Sequence, residues 1–360
     1  MKNILIIAAI GCAALFNVHS ASAQEKNACA PAGKLHFVCG VKNPEDLQLI
    51  PKTRWIIASG MAEDGGLHVI DTKTKTLQPL YSGPAAKTQF DKAMYGACPG
   101  PLDPSKSVVH GLGLRAGSDG RLTLYAVNHG GREAIEVFTI DASGAIPAAT
   151  WIGCVTMPSG LAANSVTSFS DGSILATVLM LPGKTFGDSI AGRNTGAVYS
   201  WKPGSEEFKR LLGTELPGNN GIDVSPDGTE FYVVSSGLRR VVAFSRADSS
   251  KPLRFVQFKD FTPDNVHWTS DGRLISAGMI DDEPACGGPP SGDAKGAVNL
   301  TGCPRGFIAA VFDPKTMVAT EVVRNPANPA FTGATIAVPV AGEVWIGSFH
   351  ADRVAYRSLK

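Results

Sequence analysis

Ser225-Pro226-Asp227-Gly228, followed by the apolar run Phe231-Tyr232-Val233-Val234, decides the fold. Asp-Gly between two β-rich runs is a strong hairpin signal, because the tight turn needs positive φ and glycine adopts it without a Cβ clash. The pair recurs at Asp119-Gly120, Asp171-Gly172 and Asp271-Gly272, at intervals of 44 to 56 residues. Each is followed by an apolar run, at 122–127, 174–179 and 274–277. A hairpin with this period suits the four-stranded blade of a propeller. Segments 55–59 and 67–71 read as strands of an earlier blade, and 342–348 with 353–357 as the last pair. Dividing residues 24–360 by the period gives roughly six blades, so the expected fold is all-β, a six-bladed β-propeller in a single domain. The helices that a doubly wound α/β sheet needs between its strands are missing. Two glycine-rich stretches, 182–196 and 278–306, break the rhythm and are expected as long surface loops, a length that is uncommon unless a loop covers a site.

The chain begins with Lys2, an apolar run over 4–16 and Ala21-Ser22-Ala23, the pattern of a secretory signal peptide over residues 1–23. A secreted or periplasmic protein with no membrane span is therefore expected. The formal net charge is +1, which gives no support for a nucleic-acid or anionic-membrane partner. The 40 glycines and 24 prolines fit a turn-rich β protein. Of seven cysteines, Cys12 leaves with the leader. Six remain, and an even number in an exported chain favours disulfides over zinc, since no C-x-x-C is present. Fifteen pairings are open. Cys29–Cys39 and Cys286–Cys303 would close short loops, which leaves Cys98 with Cys154.

Several segments then form an ordered set. Pro44-Glu45-Asp46-Leu47 comes first, then Val108-Val109-His110-Gly111-Leu112 and Tyr125-Ala126-Val127-Asn128-His129. Glu136-Val137-Phe138 and the nine residues from Asn220 to Gly228 follow, then Asp264-Asn265-Val266 and Trp345-Ile346-Gly347-Ser348-Phe349-His350. This set resembles the paraoxonase/arylesterase family, related to gluconolactonase-like calcium propellers, and covers nearly the whole mature chain. The resemblance implies a catalytic calcium on Glu45, Asn164, Asn220, Asp264 and Asn265, and a histidine dyad at His110 and His129. A second calcium is implied at Asp46 and the backbone carbonyl of Leu112, although Ser165 stands where the family has a third, acidic ligand. It also implies lactonase and arylesterase activity on a small-molecule substrate.

The residues support this independently. Equivalent positions of different blades converge on a propeller's axis, so side chains distant in sequence can build one oxygen-rich pocket. Calcium takes six to eight oxygens from carboxylates and amide carbonyls, and two carboxylates with three amides would balance its charge. His110 and His129 are expected on neighbouring strands of one blade, where one imidazole takes a proton from water and the other supports it. Histidine's free value places that titration near 6 to 7. His267 is expected to be an ordinary strand residue and His350 a rim residue, while the five tryptophans read as core. No G-x-S-x-G supports a serine nucleophile and no phosphate-binding loop appears. Asn299-Leu300-Thr301 is a bare glycosylation sequon. The expected function is a calcium-dependent hydrolase that opens lactones or cleaves aryl esters. The alternatives are a gluconolactonase-type sugar-lactone hydrolase and a non-catalytic periplasmic binding propeller.

Overall fold

The computed structural model describes residues 29–117, 120–293 and 295–359, so the expected leader over 1–23 lies outside the described residues. Six sheets are arranged as the blades of a β-propeller. Blade 1 comprises Leu47–Leu49, Trp55–Gly60, Gly66–Asp71 and Thr76–Tyr81. Blade 2 comprises Val109–Ala116, Leu122–Asn128, Ala134–Asp141 and Ala148–Thr156, with Lys87–Thr88 added in parallel at its outer edge. Blade 3 comprises Val166–Ser168, Ile174–Val178, Ala197–Trp201 and Lys209–Leu211. Blade 4 comprises Asn219–Val224, Glu230–Ser235, Arg240–Ser245 and Arg254–Gln257. Blade 5 comprises Phe261–Trp268, Leu274–Ile280, Phe307–Phe312 and Ala319–Asn325.

Blade 6 joins the two ends of the chain. Ala334–Val340, Glu343–Ser348 and Arg353–Ser358 form its inner strands, and His36–Cys39 pairs antiparallel with Arg353–Ser358 as its outermost strand. Each end thus finds its backbone partners at the other, which ties the ring shut. The Asp-Gly turns of blades 3, 4 and 5 lie where the repeat predicts, between the first and second strands, and Gly120 holds the matching place in blade 2. Their glycines have φ between 70 and 83°. Every blade buries apolar side chains on both faces, and Trp151, Trp345, Phe231 and Phe244 are fully buried between sheets.

Two expectations need correction. Residues 182–196 hold one short helix, Phe186–Ile190, started by a reciprocal capping box between Thr185 and Asp188. The second stretch belongs to blade 5 as far as Ile280 and becomes a loop only after it.

The disulfides are Cys29–Cys39, Cys98–Cys154 and Cys286–Cys303. Each cysteine pair approaches to 5.2–5.9 Å between Cα atoms, within ordinary disulfide geometry. Thiol titration of the denatured, unreduced mature protein should therefore find no free thiol. Two or more would remove one of the bridges.

Candidate functional site

The inner strands of blades 2, 4, 5 and 6 all carry the same irregularity, two residues set against one on the neighbouring strand. The extra residue is a β-bulge, which bends a strand and re-aims its side chains. His110 lies in the bulge of blade 2, Asn220 in that of blade 4, and Asp264 with Asn265 in that of blade 5. Glu45 sits just before the first strand of blade 1, and Asn164 just before that of blade 3. The bulged strands crowd the axis so closely that a Cβ on Gly111 would lie 2.6 Å from the Asn164 carbonyl oxygen. One on Gly221 would lie 2.6 Å from the Asn265 Cα. Glycine beside His110 and beside Asn220 is what permits this approach. Hydroxyls brace the backbone: Thr177 donates to the Asn220 carbonyl at 2.6 Å, Ser276 to that of Asn265 at 2.7 Å.

Glu45, His110, Asn164, Asn220 and Asp264 line one cavity of about 320 Å³ at the centre of the propeller. Asn265 lies against it and donates its amide to Glu45 Oε1 at 2.6 Å. Four buried oxygens here have no protein partner: Glu45 Oε2 and the Oδ1 atoms of Asn164, Asn220 and Asn265. The amide nitrogens are used elsewhere. That of Asn220 donates to Ser236 Oγ at 3.1 Å, and that of Asn164 faces His110 Nε2 at 3.4 Å. A buried acceptor without a partner costs about 1–3 kcal/mol, so four together are not left bare without cause. Among the described residues, each of the two carboxylates has an amide contact but no cationic partner. Burial raises Glu45 well above the usual range, helped by the charges of Asp264 and Asp46. Burial also raises Asp264 to about 7, with Asp46 adding and an Asn220 contact opposing. Unpaired oxygens around two carboxylates that resist ionising are the donor set of a hard cation, and this set fits calcium. Among the described residues no three His, Cys, Asp or Glu side chains converge in metal-binding geometry, so the amides complete this set.

Beneath it the axis is differently satisfied. Asp46 accepts from the Leu47 amide at 2.8 Å, the Leu112 amide at 2.7 Å and His267 Nε2 at 2.7 Å. The Leu112 carbonyl accepts from Gln48 at 3.2 Å, and Ser165 Oγ is buried without a partner. The other ring nitrogen of His267 lies 3.5 Å from Asp223. Burial works against a charge on His267, but the carboxylates of Asp46 and Asp223 outweigh it and push the imidazole up to about 10. His267 is therefore an axial ion-pair partner, which sequence reasoning missed; alternation along a strand does not show what lies across the axis. His350 is exposed, and Phe349 faces the cavity instead.

His110 and His129 meet as expected, Nδ1 to Nε2 at 3.0 Å. His110 Nε2 lies 3.7 Å from Glu45 Oε2, so the dyad adjoins these partnerless oxygens. Burial, and then the neighbouring His129, push His110 down to about 3, well below the expected titration near 6 to 7. His110 is thus neutral, and its Nε2 faces the Asn164 amide at 3.4 Å.

The rest of the cavity lining is mostly apolar, with Ser189, Ser236, Arg239, Thr262 and Asp281 as its polar members. Phe186 and Ile190 come from the short helix, Pro289, Pro290 and Leu300 from the loop after Ile280, and Phe349 from blade 6. The two loops touch through Gly187, whose amide donates to Gly296 at 2.9 Å. A Cβ on Gly187 would sit 2.8 Å from the Gly296 Cα. The Cys286–Cys303 bridge and Arg305, which donates to the Gly288 carbonyl at 2.9 Å, hold the second loop. Among the described residues no helix is long and apolar enough to cross a membrane.

No curated protein matches the chain in sequence. Among solved structures, luciferin-regenerating enzyme superposes with a TM-score of 0.51 at 14% identity, covering 89% of this chain and 92% of that one. A gluconolactonase from Xanthomonas campestris gives 0.49 at 17% identity, covering 90% and 89%. Regucalcin, a calcium-binding protein from Agrobacterium tumefaciens, gives 0.48 at 13%, covering 88% and 90%. At 14% identity the first of these shows a shared fold alone. The paraoxonase resemblance rests on the quoted motifs alone. The family profile that matches is the SMP-30/Gluconolactonase/LRE-like region, over residues 142–283, less than half of the chain.

Proposed function

We propose that this chain is an exported, calcium-dependent hydrolase of small esters, with lactones its principal substrates. One observation carries the reading: four partnerless buried oxygens surround two poorly ionised carboxylates, and a neutral histidine dyad stands at their edge. Glu45, Asn164, Asn220, Asp264 and Asn265 would hold one calcium ion. Bound there, it would supply a Lewis acid for the carbonyl oxygen of the scissile ester. No second ion is proposed, because Asp46 is already held by three protein donors.

The remaining chemistry belongs to the chain. His110 Nε2 faces the cavity and takes a proton from the attacking water, and His129 behind it accepts the Nδ1 proton in turn. The mostly apolar wall dries the site and suits a lactone or aryl ester with an apolar substituent. A sugar lactone would bring several hydroxyls against Phe186, Ile190, Pro289 and Leu300, which offer them no side-chain hydrogen bond, while the polar Arg239, Thr262 and Asp281 of the same wall are bonded to one another. The match over 142–283 keeps the gluconolactonase-type reading as the alternative. A non-catalytic binding propeller would have no use for the dyad beside the oxygens.

The test is elemental analysis combined with turnover of an alkyl-substituted lactone, gluconolactone and an aryl ester, with and without a chelator. We expect bound calcium, activity lost on chelation, and preference for the alkyl lactone. Metal binding to the native state alone also stabilises it, by about 2.7 kcal/mol at a free concentration a hundred times Kd. The chelated protein should accordingly melt several degrees lower, and added Ca²⁺ should restore it. Preference for gluconolactone would favour the alternative. An unchanged melting curve with no metal found would remove the calcium site.

A further inference from the structure

Beyond the dyad, the hydrogen bonds continue outward. His129 Nδ1 lies 2.8 Å from Glu133 Oε2. The four groups form a chain from the cavity to the surface: Asn164 Nδ2 to His110 Nε2 at 3.4 Å, His110 Nδ1 to His129 Nε2 at 3.0 Å, and His129 Nδ1 to Glu133. An ionised carboxylate can only accept, so its end of the chain has no choice of direction. His129 must then carry its proton on Nδ1 and present a bare Nε2. His110 must carry its proton on Nδ1, donate it to His129, and present a bare Nε2 to the cavity. The Asn164 amide must turn its NH₂ group toward His110, which leaves its Oδ1 for the proposed calcium set. Each bond agrees with the next, and only the carboxylate end fixes the sense of all three.

The turn that places Glu133 is rigid. Asn128, fully buried, accepts from the Val108 and Gly130 amides and donates to the Gly130 and Arg132 carbonyls. A Cβ on Gly130 would run into the Lys106 carbonyl at 1.6 Å. Arg132, one residue away, is turned to Glu136 instead, with 2.6 and 2.7 Å contacts. Its charge is thereby occupied, and Glu133 is left to His129. The Glu133 side chain is 39% exposed, whereas that of His110 is 14% exposed.

We propose that Glu133 is the positioning residue of the dyad: the outer anion that sets the tautomers of His129 and His110 and stabilises the imidazolium that forms on His129. The inference rests on the hydrolase reading above. In the forward step an O–H bond of water breaks as its oxygen bonds to the acyl carbon. That proton goes to His110 Nε2 and the His110 Nδ1 proton to His129 Nε2, leaving an imidazolium whose Nδ1 proton stays hydrogen-bonded to the Glu133 carboxylate. As the ring C–O bond of the lactone breaks, the relay runs back and the departing alkoxide takes a proton from His110 Nε2. The net change is addition of one water to one lactone, with the relay restored.

The test uses the full-length, calcium-loaded protein and the variants Glu133→Ala and Glu133→Gln. Glu133→Ala should lower kcat for the lactone by about 10- to 100-fold, the range typical of losing a histidine's outer partner, with KM little changed. Glu133→Gln keeps an acceptor for the His129 Nδ1 proton and should recover part of that loss. In a His129→Gln background, Glu133→Ala should have little further effect, because a residue acting through another is not additive with it. Imidazole ¹⁵N NMR gives a readout independent of turnover. His129 should be protonated on Nδ1 in the wild type and in Glu133→Gln, and should lose that preference in Glu133→Ala. Wild-type kcat in Glu133→Ala with an unchanged His129 tautomer would overturn the proposal, as would full additivity with His129→Gln. A wild type that hydrolyses none of the panel would sink the hydrolase reading instead, and the tautomer would still decide whether Glu133 orients the dyad.

Discussion

Asp264→Ala should release the bound calcium and abolish hydrolysis of every substrate, lactone and aryl ester alike. The residue supplies one of only two carboxylates in the cation set, and no neighbouring acidic group is free to replace it, since Asp46 is held by His267 and two backbone amides. A Lewis acid contributes several kcal/mol of transition-state stabilisation, so its loss should exceed the loss in any histidine variant. The same residue makes an opposite prediction for the metal-free protein. Burial raises Asp264 to about 7 from an ordinary 3.8, so the fold favours its neutral form. The stability that goes with this is fully present below the unfolded value, and it is lost as pH climbs through the folded value. Metal-free wild type should thus lose melting temperature between about pH 4 and 7, and Asp264→Asn should lose less over that interval. With calcium bound the order reverses, because the ion compensates the carboxylate and the amide forfeits it. Melting curves of both proteins at several pH values, with and without metal, check this. If Asp264→Asn is the less stable protein in both states, the carboxylate is compensated by something other than a cation.

His110→Gln should cut lactone turnover by about 10² to 10⁴, the usual contribution of a general base, while calcium content and fold remain. The bonds specify why it, rather than His129, is the larger lesion. His110 Nε2 faces the cavity and Glu45, whereas His129 reaches the site only through His110 Nδ1. An aryl ester with a good leaving group asks less of the base and should lose less. Turnover of both substrates by His110→Gln and His129→Gln, with metal analysis of each, settles the comparison. Full lactonase activity in both variants would make the dyad structural and move the search for the base to Glu45 and Asp264.

The local chemistry of this protein is written plainly in its sequence. The Asp-Gly turns forecast the blades because a short connection of five residues is a local event: glycine takes φ of 70 to 83° with no help from the rest of the chain. Phe231 to Val234 lies within a buried strand, and Ile174 and Leu274 open buried strands, because β-rich runs between such turns have one way to pack. Cysteine spacing made the short loops at Cys29–Cys39 and Cys286–Cys303 the simplest bridges, and both are formed.

Everything that requires two blades at once was decided by the tertiary structure. Nothing in the sequence around His36–Cys39 announces that it completes the last blade beside Arg353–Ser358, since that pairing joins the ends of the chain. The bulges that aim His110, Asn220 and Asp264 inward depend on register with a neighbouring strand. His267 looked like an ordinary strand residue until the ring closed and set Asp46 and Asp223 against it. Glu133 is four residues from His129, yet its role depends on the turn that Asn128 builds. The sequence by itself determined the hairpins, the blade repeat and the residue types near the axis, because these follow from local backbone preference and side-chain chemistry. The tertiary structure alone decided which oxygens remain without partners and which histidine faces the cavity, because a hydrogen-bond vacancy exists only once every neighbour is in place.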